Sequence, residues 1–138
     1  MQIEIVIEPA KLKGKDSGFS LGYLSVEDHE SEFAFFKKRK CMILVDLYLL
    51  LEALERFKAV ANKEDKWVGT SNGAVIKLVK LENNLVFVHR GIHHMVNFDE
   101  FFSALRAGIK SFLASWQLIN GHCTEQSAYI DLKTYLDA

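Results

Sequence analysis

Between Asn97 and Ile119, eight large apolar side chains recur at intervals of one, three or four residues: Phe98, Phe101, Phe102, Leu105, Ile109, Phe112, Leu113 and Trp116. That spacing puts them on one wide stripe of a helix over 97–119. Five of the eight are aromatic, and a stripe this broad needs a broad apolar partner, which a sheet supplies. The ends of the helix are marked as well. Asn97 followed by Glu100 fits a capping box with asparagine in place of Ser or Thr, and Val96 and Phe101 sit where a hydrophobic staple places them. Gly121 stands after the last turn, where a left-handed C-cap costs little.

The sheet is legible as alternation. In residues 2–8, Ile3, Ile5 and Ile7 point one way and Glu4 and Glu8 the other, with Val6 the exception. That is a half-buried strand, and Pro9 ends it because it lacks a ladder donor. Residues 11–18 (KLKGKDSG) form a polar loop, and 19–26 alternate Phe19, Leu21 and Tyr23, so the two strands read as an antiparallel hairpin with a long loop. A short strand is expected at 33–36, and 41–45 reads as a strand or as the entry to a helix. Further on, strands are expected at about 74–81 and 85–90, with turns at Ser71-Asn72-Gly73 and Asn83-Asn84. Leu85, Phe87 and Val86, Val88 make the second of these apolar on both faces, as in a central strand.

Two more helices follow from periodicity. Asp46 is placed as an N-cap, with Leu47, Leu50, Leu51, Leu54, Phe57 and Ala61 on one stripe behind it, and NKEDK (62–66) closes that helix. Tyr129, Leu132 and Leu136 mark a shorter helix over 125–137. The order is β-β-(β)-α-β-β-α-α. It implies an α+β fold: one domain over 1–138, with an antiparallel sheet of about four to five strands. Two main helices and a short C-terminal helix pack mainly on one face. No repeat, low-complexity tract or linker divides the chain.

Composition limits the function classes. With 49% hydrophobic and 25% charged residues the chain is an ordinary globular one. A net charge of -1 disfavours general nucleic-acid binding, which needs a strongly basic surface. The N-terminus alternates apolar and charged residues, unlike a signal peptide. Apolar runs such as Leu47–Leu51 are far too short to span a bilayer, so a cytoplasmic protein without membrane contact is expected. Cys41 and Cys123 read as free thiols, with one disulfide between them the alternative.

The segment VFVHRGIHHMVNFDEFF (86–102) concentrates polar chemistry: His89, Arg90, His93, His94, Asp99 and Glu100. His89 and His93 are four apart, a ligand spacing on a helix, but Gly91 lies between them and the preceding pattern is that of a strand. His93 and His94 are adjacent and point apart in an extended backbone. Asp99 and Glu100 are accounted for by the helix dipole. No metal, cofactor or catalytic residue is therefore expected. A ligand site, or a small enzyme, using His89, Arg90, His93 and His94 is the alternative.

Elsewhere the candidates are surface features. Lys37, Lys38, Arg39 and Lys40 lie between Phe35-Phe36 and Cys41. Cations lower a thiol's pKa when close in space, but Cys41 opens an apolar run and reads as core. Tyr48 and Leu49 fall off the buried stripe of their helix. Together with Phe35 and Phe36 they suggest a partly exposed apolar patch, unless a second layer covers it. Phe35, Phe36, Lys37, Lys38, Arg39 and Tyr48 are thus the expected partner-binding residues, mixed charge and aromatics suiting a protein partner. Gly69-Thr-Ser-Asn-Gly73 lacks the lysine and ending of a P-loop.

In layout, the N-terminal hairpin (IEIVIE…GFSLGYL), the helix from Asp46, the hairpin AVIKLVKLENNLVFV and the helix NFDEFFSALRAGIKSFLASW resemble the small α+β immunity proteins of bacterial toxin–immunity systems. The resemblance implies a non-enzymatic cytoplasmic protein that binds and neutralises a cognate toxin domain. Members that oppose basic nucleases are often acidic, whereas this chain is nearly neutral, so the toxin class stays open. A homodimer through an exposed sheet edge is a third alternative.

Overall fold

The computed structural model describes residues 1–7, 21–29, 31–69, 73–119 and 127–137. The chain is α+β with antiparallel pairing, but the strands form two four-stranded sheets where one sheet was expected. In the first, β1 (Gln2–Ile7) pairs with β2 (Leu21–Asp28), whose other edge carries β3 (Ser31–Phe35) and the short β4 (Cys41–Met42). The second is a meander of β5 (Asn62–Val68), β6 (Val75–Leu81), β7 (Asn84–His89) and β8 (Ile92–Asn97).

The two strands that were not expected, β5 and β8, are the edges of the second sheet. NKEDK is not the loop after a helix: it pairs residue by residue with β6, from Asn62↔Leu81 to Val68↔Val75. Its charges disguise it because an edge strand needs few buried side chains, and charge there blocks unwanted pairing. Only Trp67 of β5 is buried, donating from Nε1 to the Asp46 carbonyl at 2.8 Å.

Helix α1 spans Ile43–Phe57, three residues earlier than expected at its start and four shorter at its end. Asp46 is not its N-cap. It lies in the first turn, fully buried, and Met42 precedes the helix without a side-chain cap. At the other end Lys80, from the inner face of β6, donates Nζ to the carbonyls of Phe57 and Val60, each at 2.8 Å, and sits 4.5 Å over the Phe98 ring. The Phe57 carbonyl also accepts the Val60 N–H at 3.1 Å, so the buried ammonium adds a second donor there and ties the end of the helix to the residues that follow it.

Helix α2 (Phe98–Ile119) follows the expected stripe, and the Asn97 side chain accepts the Glu100 N–H at 3.0 Å. Val96 and Phe101 are both buried. Helix α3 (Ser127–Asp137) buries Tyr129, Leu132 and Leu136. Gly121 and Cys123, with Pro9, the 11–18 loop and Ser71-Asn72, lie outside the described residues. The turn placed at Asn83-Asn84 is shifted by one: Leu81 pairs with Asn84, and Glu82, not an asparagine, takes the positive φ.

One core links all these layers. Phe33 and Phe35 of β3, Trp67 of β5, Phe87 of β7 and Phe101 of α2 meet ring to ring at centroid separations of 4.7–6.2 Å. Helix α1 packs on β5 and β2, α2 on β1 and β8, and α3 on both helices.

Candidate functional site

The histidine segment resolves into a hairpin. His89 pairs with Ile92, and Arg90 and Gly91 form the two-residue turn between them with φ of 50° and 78°. Two consecutive positive φ angles match the twist of the flanking strands. The register then separates the imidazoles. His94 pairs with Phe87 on the inner face, while His93 pairs with Val88 on the outer face. His89 shares the inner parity but Nδ1 lies 2.9 Å from the Val75 carbonyl, a sheet-rim hydrogen bond. His94 stacks on Phe33, and burial lowers its pKa below the ordinary histidine value. The register thus sets His93 on the face opposite to His89 and His94, with Arg90 in the turn.

The patch around Phe35 and Phe36 is corrected in the same way. Both rings are buried, against Trp67 at centroid distances of 5.6 and 4.8 Å. The second sheet is the layer that covers them. Lys37, Lys38 and Arg39 stay exposed in the bend that follows, and Lys37 Nζ lies 5.8 Å from the Tyr23 ring centroid. Tyr48 is half-buried, edge-on to Tyr135 of α3, and the Glu52 carboxylate beside its hydroxyl holds it above the usual phenol range. Cys41 is a buried free thiol. Burial pushes it up, and donating to the Asp46 carboxylate pushes it further, so it is no nucleophile.

What the sequence did not announce is the outer face of the second sheet. Pairing places Lys66, Lys77, Val88 and His93 in one row across the four strands, and Glu64, Val79, Val86 and Met95 in the next. Val68 and Val75 lie beyond one end, Leu81 beyond the other. Met95 is 65% exposed, Leu81 50%, and Val68 and Val75 44% each. Trp67 and Phe87 on the inner face meet α1 and α2. No described element lies against the outer face in the same way. Lys77 and Glu64 pair across it, leaving Lys66 and the hairpin-tip Arg90 as a positive margin. The signal was present as Val75, Val79 and Val86, Val88 at spacing two, but it becomes a surface only once the helices are known to take the other side.

Comparison with protein-family models, curated proteins and solved structures returned no match.

Two other places bring polar groups together. Between α2 and α3 lies a groove lined by Lys110, Gln117, Tyr129 and Lys133, in which Tyr129 donates to Gln117 and Lys133 pairs with Asp137. At the opposite end of α2, Asp28, His29 and Glu100 bring one oxygen, one nitrogen and one oxygen within 4.8 Å of one another. Among the described residues no other three such side chains converge. No helix among them is long and apolar enough to cross a membrane.

Proposed function

We propose that this chain is a non-enzymatic protein-binding module of the immunity type, and that the outer face of the second sheet is where it holds its partner. The observation that carries the reading is the outer-face row of half-buried Val79 and Val86 with exposed Met95, flanked by half-buried Val88 and by exposed Val68, Val75 and Leu81. Exposed apolar area of this kind, rimmed by polar groups, is characteristic of protein contacts. With Lys77 paired to Glu64, Lys66 and Arg90 leave a positive margin, which suits a toxin domain presenting an apolar patch with carboxylates at its edge.

The expected cluster at Phe35 and Phe36 contributes to this reading only indirectly, as core that holds the second sheet in place. Lys37, Lys38 and Arg39 remain candidates for a secondary contact. Co-expression with the product of the adjacent upstream gene tests the proposal. A stoichiometric complex, with protection of cells from that product, is expected from the unaltered chain. Val86→Asp is expected to abolish both while the protein stays folded by circular dichroism. Failure to form a complex or to protect, or full retention of both by Val86→Asp, contradicts it.

A further inference from the structure

We infer that Asp28, His29 and Glu100 form a binding site for a divalent transition cation of the zinc type, pinning the turn of the first sheet to the start of α2. Register explains how Asp28 comes to be there. In β2, Gly22, Leu24 and Val26 are buried and alternate with Leu21, Tyr23, Ser25 and Glu27. Asp28 continues the buried parity at the end of the strand, so its carboxylate turns inward where an apolar side chain would ordinarily stand. Its Oδ1 is buried and accepts no hydrogen bond. A carboxylate oxygen closed off from water, with only an ion-pair contact to His29, is poorly compensated, and a cation would compensate it.

The other two donors fit that ligand. His29 Nε2 lies 3.6 Å from the same Asp28 Oδ1. Two donors on one tetrahedral zinc with bonds of about 2.1 Å stand about 3.4 Å apart, so the pair closes on a metal with little movement. Glu100 supplies the third donor from the first turn of α2, within 4.8 Å of both. The Asn97 cap fixes the backbone of that turn, and the exposed Glu100 side chain reaches from it toward Asp28 and His29. Two carboxylates brought this close repel one another, and a dication removes the repulsion. One imidazole nitrogen with two carboxylate oxygens selects zinc, nickel or cobalt over calcium and magnesium, which take oxygen alone. Asp28 and His29 are neighbours in sequence and Glu100 comes from a distant helix, so the set is assembled only by the fold. Nothing in the proposal depends on the partner-binding face.

The test is titration of zinc chloride into the full chain, prepared without a histidine tag, by isothermal calorimetry. One zinc per chain is expected. His29→Ala and Glu100→Gln are each expected to weaken it by at least about tenfold, and His93→Ala to leave it unchanged. Zinc is also expected to raise the melting temperature of the unaltered chain and not that of Glu100→Gln. Glu100 is exposed, so that variant keeps its fold. Absence of one-to-one binding, full affinity in His29→Ala or Glu100→Gln, or loss of binding in His93→Ala overturns the assignment.

Discussion

His94 lies flat against Phe33, with ring centroids 4.4 Å apart and planes 10° from parallel. One residue belongs to the edge of the second sheet and the other to the edge of the first, so this contact is part of what joins them. It gives a histidine a packing role and sets its proton affinity. Burial disfavours the imidazolium, so the folded state binds that proton less readily than the unfolded chain.

The sign of the pH effect follows. Stability from a neutral His94 is complete above the unfolded value of about 6.5 and is lost as pH falls through the lower folded value. Urea midpoints at pH 7.5 and pH 5 should therefore drop further in the unaltered chain than in His94→Phe, which keeps a stacked ring without a titrating group. Equal drops would show that His94 is not desolvated.

Tyr135 provides the alkaline counterpart. Burial, then the Glu55 carboxylate to which its hydroxyl donates at 3.0 Å, push its pKa up to about 12. The stability it contributes is complete below the ordinary value near 10 and is lost as pH rises through about 12. Absorbance titration near 295 nm should lose its latest phenol step in Tyr135→Phe. Loss of a step near pH 10 instead would contradict the contact.

Lys80 tests how α1 is terminated. Lys80→Met keeps most of the side-chain volume but leaves the carbonyls of Phe57 and Val60 without their ammonium. A loss of roughly 2–3 kcal/mol is expected, read from the urea midpoint with an unchanged slope. A loss below about 0.5 kcal/mol would mean that water replaces the ammonium at no cost.

Gly22 tests the close approach of β1, β2 and the start of α1. A Cβ built there would collide with the Val6 carbonyl oxygen and lie 2.8 Å from Ile43 Cγ2. The first obstacle is backbone inside a ladder and does not move cheaply. Gly22→Ala should cost about 3 kcal/mol or more in thermal or urea unfolding, above the usual range for overpacking. A near-neutral result would contradict the pairing Ile7↔Gly22.

The legible parts of this chain were those where one element carries its own signal. The α2 stripe, the Asn97 cap and the burial of Tyr129, Leu132 and Leu136 needed only local periodicity. The missed parts depended on neighbours. Lys63, Glu64, Asp65 and Lys66 hide a strand because an edge exposes most of its side chains. His93 and His94 hide another. Without those two strands there is no second sheet, so Phe35 and Phe36 look exposed and the fold looks like a single layer. The same gap shifted the functional reading. The outer face is made of valines that read as core, and Asp28 and His29 meet Glu100 only through the tertiary fold.

The outer face of the second sheet is the proposed partner surface. The most direct measurement is the dissociation constant of the complex with the neighbouring gene's product, for the unaltered chain and for Val86→Asp, by calorimetry. A charge set in the middle of that apolar row should weaken binding by roughly a hundredfold or more with the melting temperature nearly unchanged. Equal dissociation constants would place the contact elsewhere and contradict the account.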